Sequence, residues 1–146
     1  MRAGFEVIGD KDDAQYAKLP LNTLTAAIGD LLELTTGATT WAKCTSSSNH
    51  FTPKAILEET ATAATSASCY LLTGNENVRA ESSGDAVVAH YGDLMLLTDE
   101  NTVNNSGTNS TAQQACFRQT GVAGALTDKR IIGRVLVGNG VDPDAA

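Results

Sequence analysis

Five side chains of this sequence could act as nucleophile, base or soft metal ligand: His50, His90, Cys44, Cys69 and Cys116. A hydrolytic triad needs a Ser or Cys within reach of a His that a carboxylate orients, and no Gly-x-Ser-x-Gly turn exists here to expose a serine. The cysteines are odd in number, far apart and outside any Cys-x-x-Cys spacing. Three buried small apolar side chains in a reducing compartment explain them more simply than a thiol nucleophile or a metal site. His90 closes an apolar run and reads as a packed or interface histidine, whereas His50 sits in a Ser-rich loop and reads as solvated. Zinc would require these five residues to converge over long range. Asp10-Lys11-Asp12-Asp13 looks superficially like a calcium loop. It lacks the glycine at the sixth position, however, and Leu21 stands where a bidentate Glu is required. Glu58-Glu59 and Asp99-Glu100 are adjacent pairs that a strand sends to opposite faces. Gly138-Asn139-Gly140 follows the last strand with no helix behind it, so it is no phosphate cradle. The expectation is a chain that is not an enzyme, with no catalytic, cofactor or metal site.

The elements that would hold such residues read as short strands. Phe5, Val7 and Ile8 suggest a first strand ahead of the acidic turn, and Ala14 to Leu21 has weak helical character ended by Pro20. Asp30 to Thr35 and Thr39 to Thr45 form a hairpin across Thr36-Gly37-Ala38. Lys54 to Glu59 is a strand opened by Pro53, and Thr60 to Ser68 is left open between short helix and Ala/Thr loop. Further strands are read at Ser68 to Thr73, Glu76 to Ala80, Gly84 to His90, Gly92 to Thr98, Ala115 to Ala123 (broken at Gly121) and Arg130 to Val137. Residues 99–114 are almost purely polar and read as one exposed loop. Asn104-Asn105-Ser106 and Asn109-Ser110-Thr111 within it fit the glycosylation pattern, but no export signal accompanies them. The expected core is Leu32, Leu34, Trp41, Leu71, Val87, Leu94, Leu96, Ile132 and Val135.

One internal echo stands out. Gly29-Asp30-Leu31-Leu32-Glu33-Leu34-Thr35 matches Gly92-Asp93-Leu94-Met95-Leu96-Leu97-Thr98 at five of seven positions. A Gly-Asp corner supplies positive φ and a carboxylate that bonds its own backbone, which is what a tight turn into a sheet needs. The flanking residues do not extend the match, so shared turn chemistry accounts for it more readily than a duplicated half-domain.

Composition sets the function classes. Apolar residues make up 42% and charged residues only 18% of 146 residues, and 18 Thr, 9 Ser, 21 Ala and 13 Gly fill the difference. β-Branched Thr suits a pleated surface, and Gly and Ser suit tight turns. Ten Lys+Arg against seventeen Asp+Glu give −7, which repels a phosphate backbone and argues against a nucleic-acid partner. No apolar run approaches the roughly 18 residues of a membrane helix, so no membrane association is expected.

Ala27-Ile28-Gly29-Asp30-Leu31-Leu32-Glu33-Leu34-Thr35, Trp41-Ala42-Lys43-Cys44-Thr45 and Gly84-Asp85-Ala86-Val87-Val88-Ala89 resemble tailed-bacteriophage capsid decoration (cement) proteins, and Ile131-Ile132-Gly133-Arg134-Val135-Leu136-Val137 is similar to their final strand. The likeness covers roughly residues 25–98 and 130–138 and is one of style, with no diagnostic motif. It implies a virion protein, made in the host cytoplasm, on the outside of a capsid. There it would stabilise contacts between major capsid subunits as a homodimer or homotrimer. Another virion protein (a tail or fibre component) and a carbohydrate-binding β-module are the competing classes.

The whole reads as all-β, a single-domain β-sandwich of jelly-roll type. Residues 1–21 form an N-terminal arm or first strand, 22–140 the sandwich and 141–146 a tail. Phe5, Val7, Ile8, Tyr16 and Leu19 are too sparse to bury themselves and are the expected partner contacts.

Overall fold

The computed structural model describes residues 3–106 and 115–138. Among these residues there are eleven strands: β1 (Glu6–Val7), β2 (Tyr16–Ala26), β3 (Leu31–Glu33), β4 (Ala42–Lys43), β5 (Lys54–Leu57), β6 (Ala61–Leu71), β7 (Val78–Ser82), β8 (Leu94–Asp99), β9 (Thr102–Asn104), β10 (Phe117–Val122) and β11 (Arg130–Val135). The helical elements among the described residues are single 3-10 turns at Asp13–Gln15, Val88–His90 and Leu126–Asp128. The all-β expectation holds, and so does the hairpin of β3 and β4, with Leu32 opposite Lys43.

Four local readings change. Tyr16 to Leu21 is strand: its exposure alternates with period two, and Pro20 lies within β2 opposite Ser66. Residues 61–71 form one eleven-residue strand that pairs along β2. β-Branched Thr is stiff in a helix and suits a pleated surface, and a long partner strand decides between the remaining options. Gly84 to His90 is a turn followed by a 3-10 turn, with the Ala86 N–H donating to the Leu126 carbonyl at 2.8 Å. Residues 99–114 are not one exposed loop, because β9 lies within them with Val103 fully buried and Asn105 only 4% exposed. Residues 107–114, the glycosylation pattern at Asn109 and the tail 141–146 lie outside the described residues.

The strands form two sheets, and each closes on itself. The first runs β2-β6-β5-β3-β4 and returns to β2 through a parallel bridge between Leu21 and Trp41. There the Trp41 N–H donates to the Pro20 carbonyl at 2.8 Å and the Asn22 N–H to the Trp41 carbonyl at 2.9 Å. The second runs β7-β11-β10-β8-β9 and returns to β7 through a parallel β9 pairing, Glu81 to Thr102 and Ser82 to Val103. β1 joins the outside of this ring at β7.

The two rings are the same structure twice. Adding five to each strand number of the first order gives the second, every pairing keeps its direction, and the one parallel closure falls at the same place. Register matches residue by residue. Leu31, Ile56 and Tyr70 lie side by side across β3, β5 and β6, as Leu94, Arg118 and Arg134 do across β8, β10 and β11. Turn hydrogen bonds also repeat. The Gly29 N–H donates to the Leu57 carbonyl at 2.9 Å and the Gly92 N–H to that of Gln119 at 2.7 Å, and Leu72 to Lys54 at 3.0 Å is matched by Leu136 to Cys116 at 2.8 Å. Both corner glycines have positive φ, +99° and +86°. The Gly-Asp echo in the sequence therefore marks an internal structural repeat, and shared turn chemistry alone does not account for it. Flanking residues diverge because a closed sheet constrains register and burial more than side-chain identity.

Closure gives each ring its own core. Leu21, Leu32, Trp41, Ala55, Leu57, Ala67 and Cys69 pack inside the first. Val78, Ala80, Met95, Leu97, Val103, Phe117, Ile131 and Val135 pack with Phe5 and Val7, and the outer face of the first ring (Leu31, Ile56, Tyr70, Leu72) joins this cluster. Of the expected core, Leu32, Trp41 and Val135 are buried, and Leu34, Leu71, Leu94, Leu96 and Ile132 are only partly so. Val87 is 40% exposed. On β8 and β11 the inward residues are Met95, Leu97 and Ile131. In a period-two element a one-residue error of phase swaps both faces.

Candidate functional site

The five expected partner contacts separate. Phe5 and Val7 are interior, 0% and 3% exposed, with the Phe5 ring edge-on to Phe117 at 6.3 Å. These two are part of the molecule's own core and unavailable to a partner. Ile8 and Leu19 are half-buried, and Tyr16 is 40% exposed with its ring edge-on to Tyr70 at 5.0 Å. The N-terminal segment spans both rings: the Phe5 N–H donates to the Gly29 carbonyl at 2.8 Å, and Val7 pairs with Val78.

The three cysteines are free thiols inside the protein. Burial pushes the Cys69 thiol up to about 12, with Glu58 and Glu59 adding to the rise. Burial likewise raises Cys116 to about 12, and Cys44 well above the ordinary thiol range with Glu33 contributing. Protonated, enclosed thiols are poor nucleophiles and poor metal ligands. Among the described residues no three His, Cys, Asp or Glu side chains group to hold a metal. No helix among them is long and apolar enough to cross a membrane. His50 and His90 each have a buried Nδ1 without a partner. His50 thus lies closer to the packed interior than a solvated loop histidine would, with its ring edge-on to Phe51 at 4.9 Å.

One polar cluster was not visible in the sequence. Glu33 and Lys54 face each other across β3 and β5 and are both buried. The Lys54 ammonium donates to the Asn49 carbonyl at 2.6 Å, the Thr52 hydroxyl at 2.7 Å and the Thr52 carbonyl at 3.0 Å. The Glu33 carboxylate accepts from Ser48 and, at 3.1 Å, from Thr52. Every partner is internal, so the cluster pins residues 48–54 against the sheet and leaves no open position for a ligand. Only its register, Glu33 opposite Lys54, could have disclosed it, and that requires knowing that β3 pairs with β5.

A cavity of about 430 Å³ opens where the two rings meet, with His50, Gly74, Leu94, Arg118, Val135 and Val137 on its wall. It has one permanent cation, one imidazole and an apolar floor, which suits an anionic or carboxylate-bearing group better than a reaction centre. Asp30 contributes to no such site. Its carboxylate accepts from the Ala27 N–H at 3.0 Å, and burial raises its pKa.

No family model matches the chain, and no curated protein or solved structure matches it either.

Proposed function

We propose that this chain is a structural virion protein that binds the outside of a tailed-phage capsid and stabilises contacts between major capsid subunits. One observation carries the reading: the chain is a doubled, closed-sheet body whose three cysteine thiols are buried and whose Glu33–Lys54 cluster is satisfied internally. What it offers other molecules is therefore surface, made largely of small side chains that permit close, extended contact. The resemblance to decoration proteins in residues 27–35, 41–45, 84–89 and 131–137 gives that surface its proposed partner. The layered, jelly-roll-like sandwich implied by the resemblance belongs to the same reading, supported by the packing of the first ring's Leu31–Ile56–Tyr70 face on the second ring. A repeated shell site needs only modest affinity per copy when several contacts are made at once. The test is thermal unfolding of the purified shell with and without the protein. A higher shell transition with it is expected, and an unchanged transition together with no co-sedimentation overturns the reading.

A further inference from the structure

The internal repeat allows the two rings to be compared face by face. In the first ring the outer row Leu31–Ile56–Tyr70 is covered, with exposures of 0%, 0% and 2%. In the second ring the equivalent row is Leu94–Arg118–Arg134, and there Leu94 is half-exposed and both arginines are exposed. The backbone surface that serves as an interface in one repeat is uncovered in the other.

Its charge is out of place. Arg118 and Arg134 are direct cross-strand neighbours, and like charges in that relation destabilise a sheet. The chain is acidic overall, at −7. Of the four described arginines, Arg79 pairs with Glu6, and Arg130 pairs with Glu81 at 2.9 Å. Arg118 and Arg134 have no carboxylate in reach among the described residues. Glu76, in the turn that borders the adjoining cavity, has its carboxylate taken up by the Thr73 and Gly74 N–H groups at 2.9 and 3.0 Å.

A complementary feature exists on the same chain. Asp10, Asp12 and Asp13 place three exposed carboxylates within four residues. This turn lies against the first ring, where the Asp12 N–H donates to the Tyr70 hydroxyl at 3.2 Å. Tyr70 is the repeat equivalent of Arg134, so in the first ring this turn already covers the position that is bare in the second.

We propose that the Arg118–Arg134 face docks the Asp10–Asp13 turn of a second copy of this chain. The contact rests on the reading of this chain as a decoration protein, which implies a homodimer or homotrimer, and it names the surface of that association. Charge complementarity chooses the occupant: carboxylates from one copy separate two like charges on the other, and fork-shaped guanidinium groups suit carboxylates. In a twofold pair the same contact forms twice.

The experiment is sedimentation equilibrium of the full chain at low and high salt. Wild type is expected to self-associate, more weakly at high salt. R118E/R134E and D10K/D13K should each weaken association at least tenfold, and an equimolar mixture of the two should recover it, because the reversed charges again complement. R118A/R134A, which removes charge without reversing it, should weaken association with an unchanged far-UV circular dichroism spectrum. Wild type that stays monomeric overturns the self-association reading along with this contact. Association that persists in R118E/R134E leaves self-association standing and overturns this surface. Variants that each weaken association but do not recover on mixing overturn the Asp10–Asp13 turn as the occupant.

Discussion

Asn105 shows how one side chain can define an element. Its Oδ1 accepts from the Gly84 N–H at 2.9 Å, and its Nδ2 donates to the Gly84 and Asp85 carbonyls at 3.1 and 2.9 Å. It ties the end of β9 to residues 84–85, replacing a sheet ladder that this stretch lacks. Asn105→Ala takes the partner from the Gly84 N–H and the Asp85 carbonyl, while the Gly84 carbonyl keeps its bond from the Ser82 hydroxyl at 2.7 Å, so a loss of about 1–3 kcal/mol is expected in urea unfolding, well above the roughly 0.5 kcal/mol of a surface site. Lys54 follows the same logic with charge. Lys54→Ala takes the ammonium away from the Asn49 and Thr52 carbonyls and from the Thr52 hydroxyl that donates to Glu33, leaving the buried carboxylate with no cation linked to it, and should cost about 3–5 kcal/mol, whereas the joint change to Lys54→Met and Glu33→Leu should recover most of it. A double-mutant cycle checks both statements. The buried thiols give a pH dependence. Burial raises Cys69 and Cys116 from the ordinary thiol value of 9.0 to about 12. A raised folded-state value contributes stability that is whole below about pH 9 and is lost as pH climbs toward 12. The stability gap between wild type and Cys69→Ala should therefore narrow steadily above pH 9 in denaturant titrations.

At the scale of elements, legibility follows from what pairing decides. The β3–β4 hairpin and β11 could be read because Gly-bounded apolar runs need no partner to be recognised. β6 could not, since Ala and Thr suit several conformations until β2 lies alongside. The β9 segment, Thr102-Val103-Asn104, has a single apolar residue, so its identity as a strand comes from its pairings, antiparallel with β8 and parallel with β7. Faces were the harder inference. On β8 the run Leu94-Met95-Leu96-Leu97 is apolar throughout and offers no alternation to set its phase. The structure sets it: Met95 and Leu97 are 0% and 2% exposed. Met95→Ala and Leu97→Ala should each cost about 2–5 kcal/mol, and Leu94→Ala and Leu96→Ala markedly less. Four urea curves decide the phase of the strand. Of the candidate contacts, Tyr16 was legible as surface, whereas Phe5 and Val7 looked sparse only because their partners, Phe117 and Val78, lie more than seventy residues away in the chain.

For the whole molecule, the repeat explains why an N-terminal segment of six residues matters so much. Two closed rings placed side by side need something to fix their relative position, and a segment that bonds to both does so directly. Gly4 sits so close to the first ring that a Cβ there would lie 2.5 Å from the Gly29 carbonyl oxygen, and its φ of +72° is open to glycine at little cost. Phe5 then fills the shared core against Phe117, Val7 pairs with Val78, and the Ile8 N–H donates to the Asn77 carbonyl at 2.9 Å. Losing Phe5 alone removes a fully buried aromatic, a change worth about 3–5 kcal/mol. Marginal domains have roughly 5–15 kcal/mol in total. Removal of residues 1–8 takes Phe5, Val7 and the β1 pairing together, so the truncated chain should lose cooperative thermal unfolding or melt far below wild type. A detachable arm behaves differently: the truncated chain would keep the wild-type midpoint and lose only its partner. Circular dichroism melts of the full and truncated chains distinguish the two, and a wild-type midpoint after truncation would show that the rings hold their arrangement without β1.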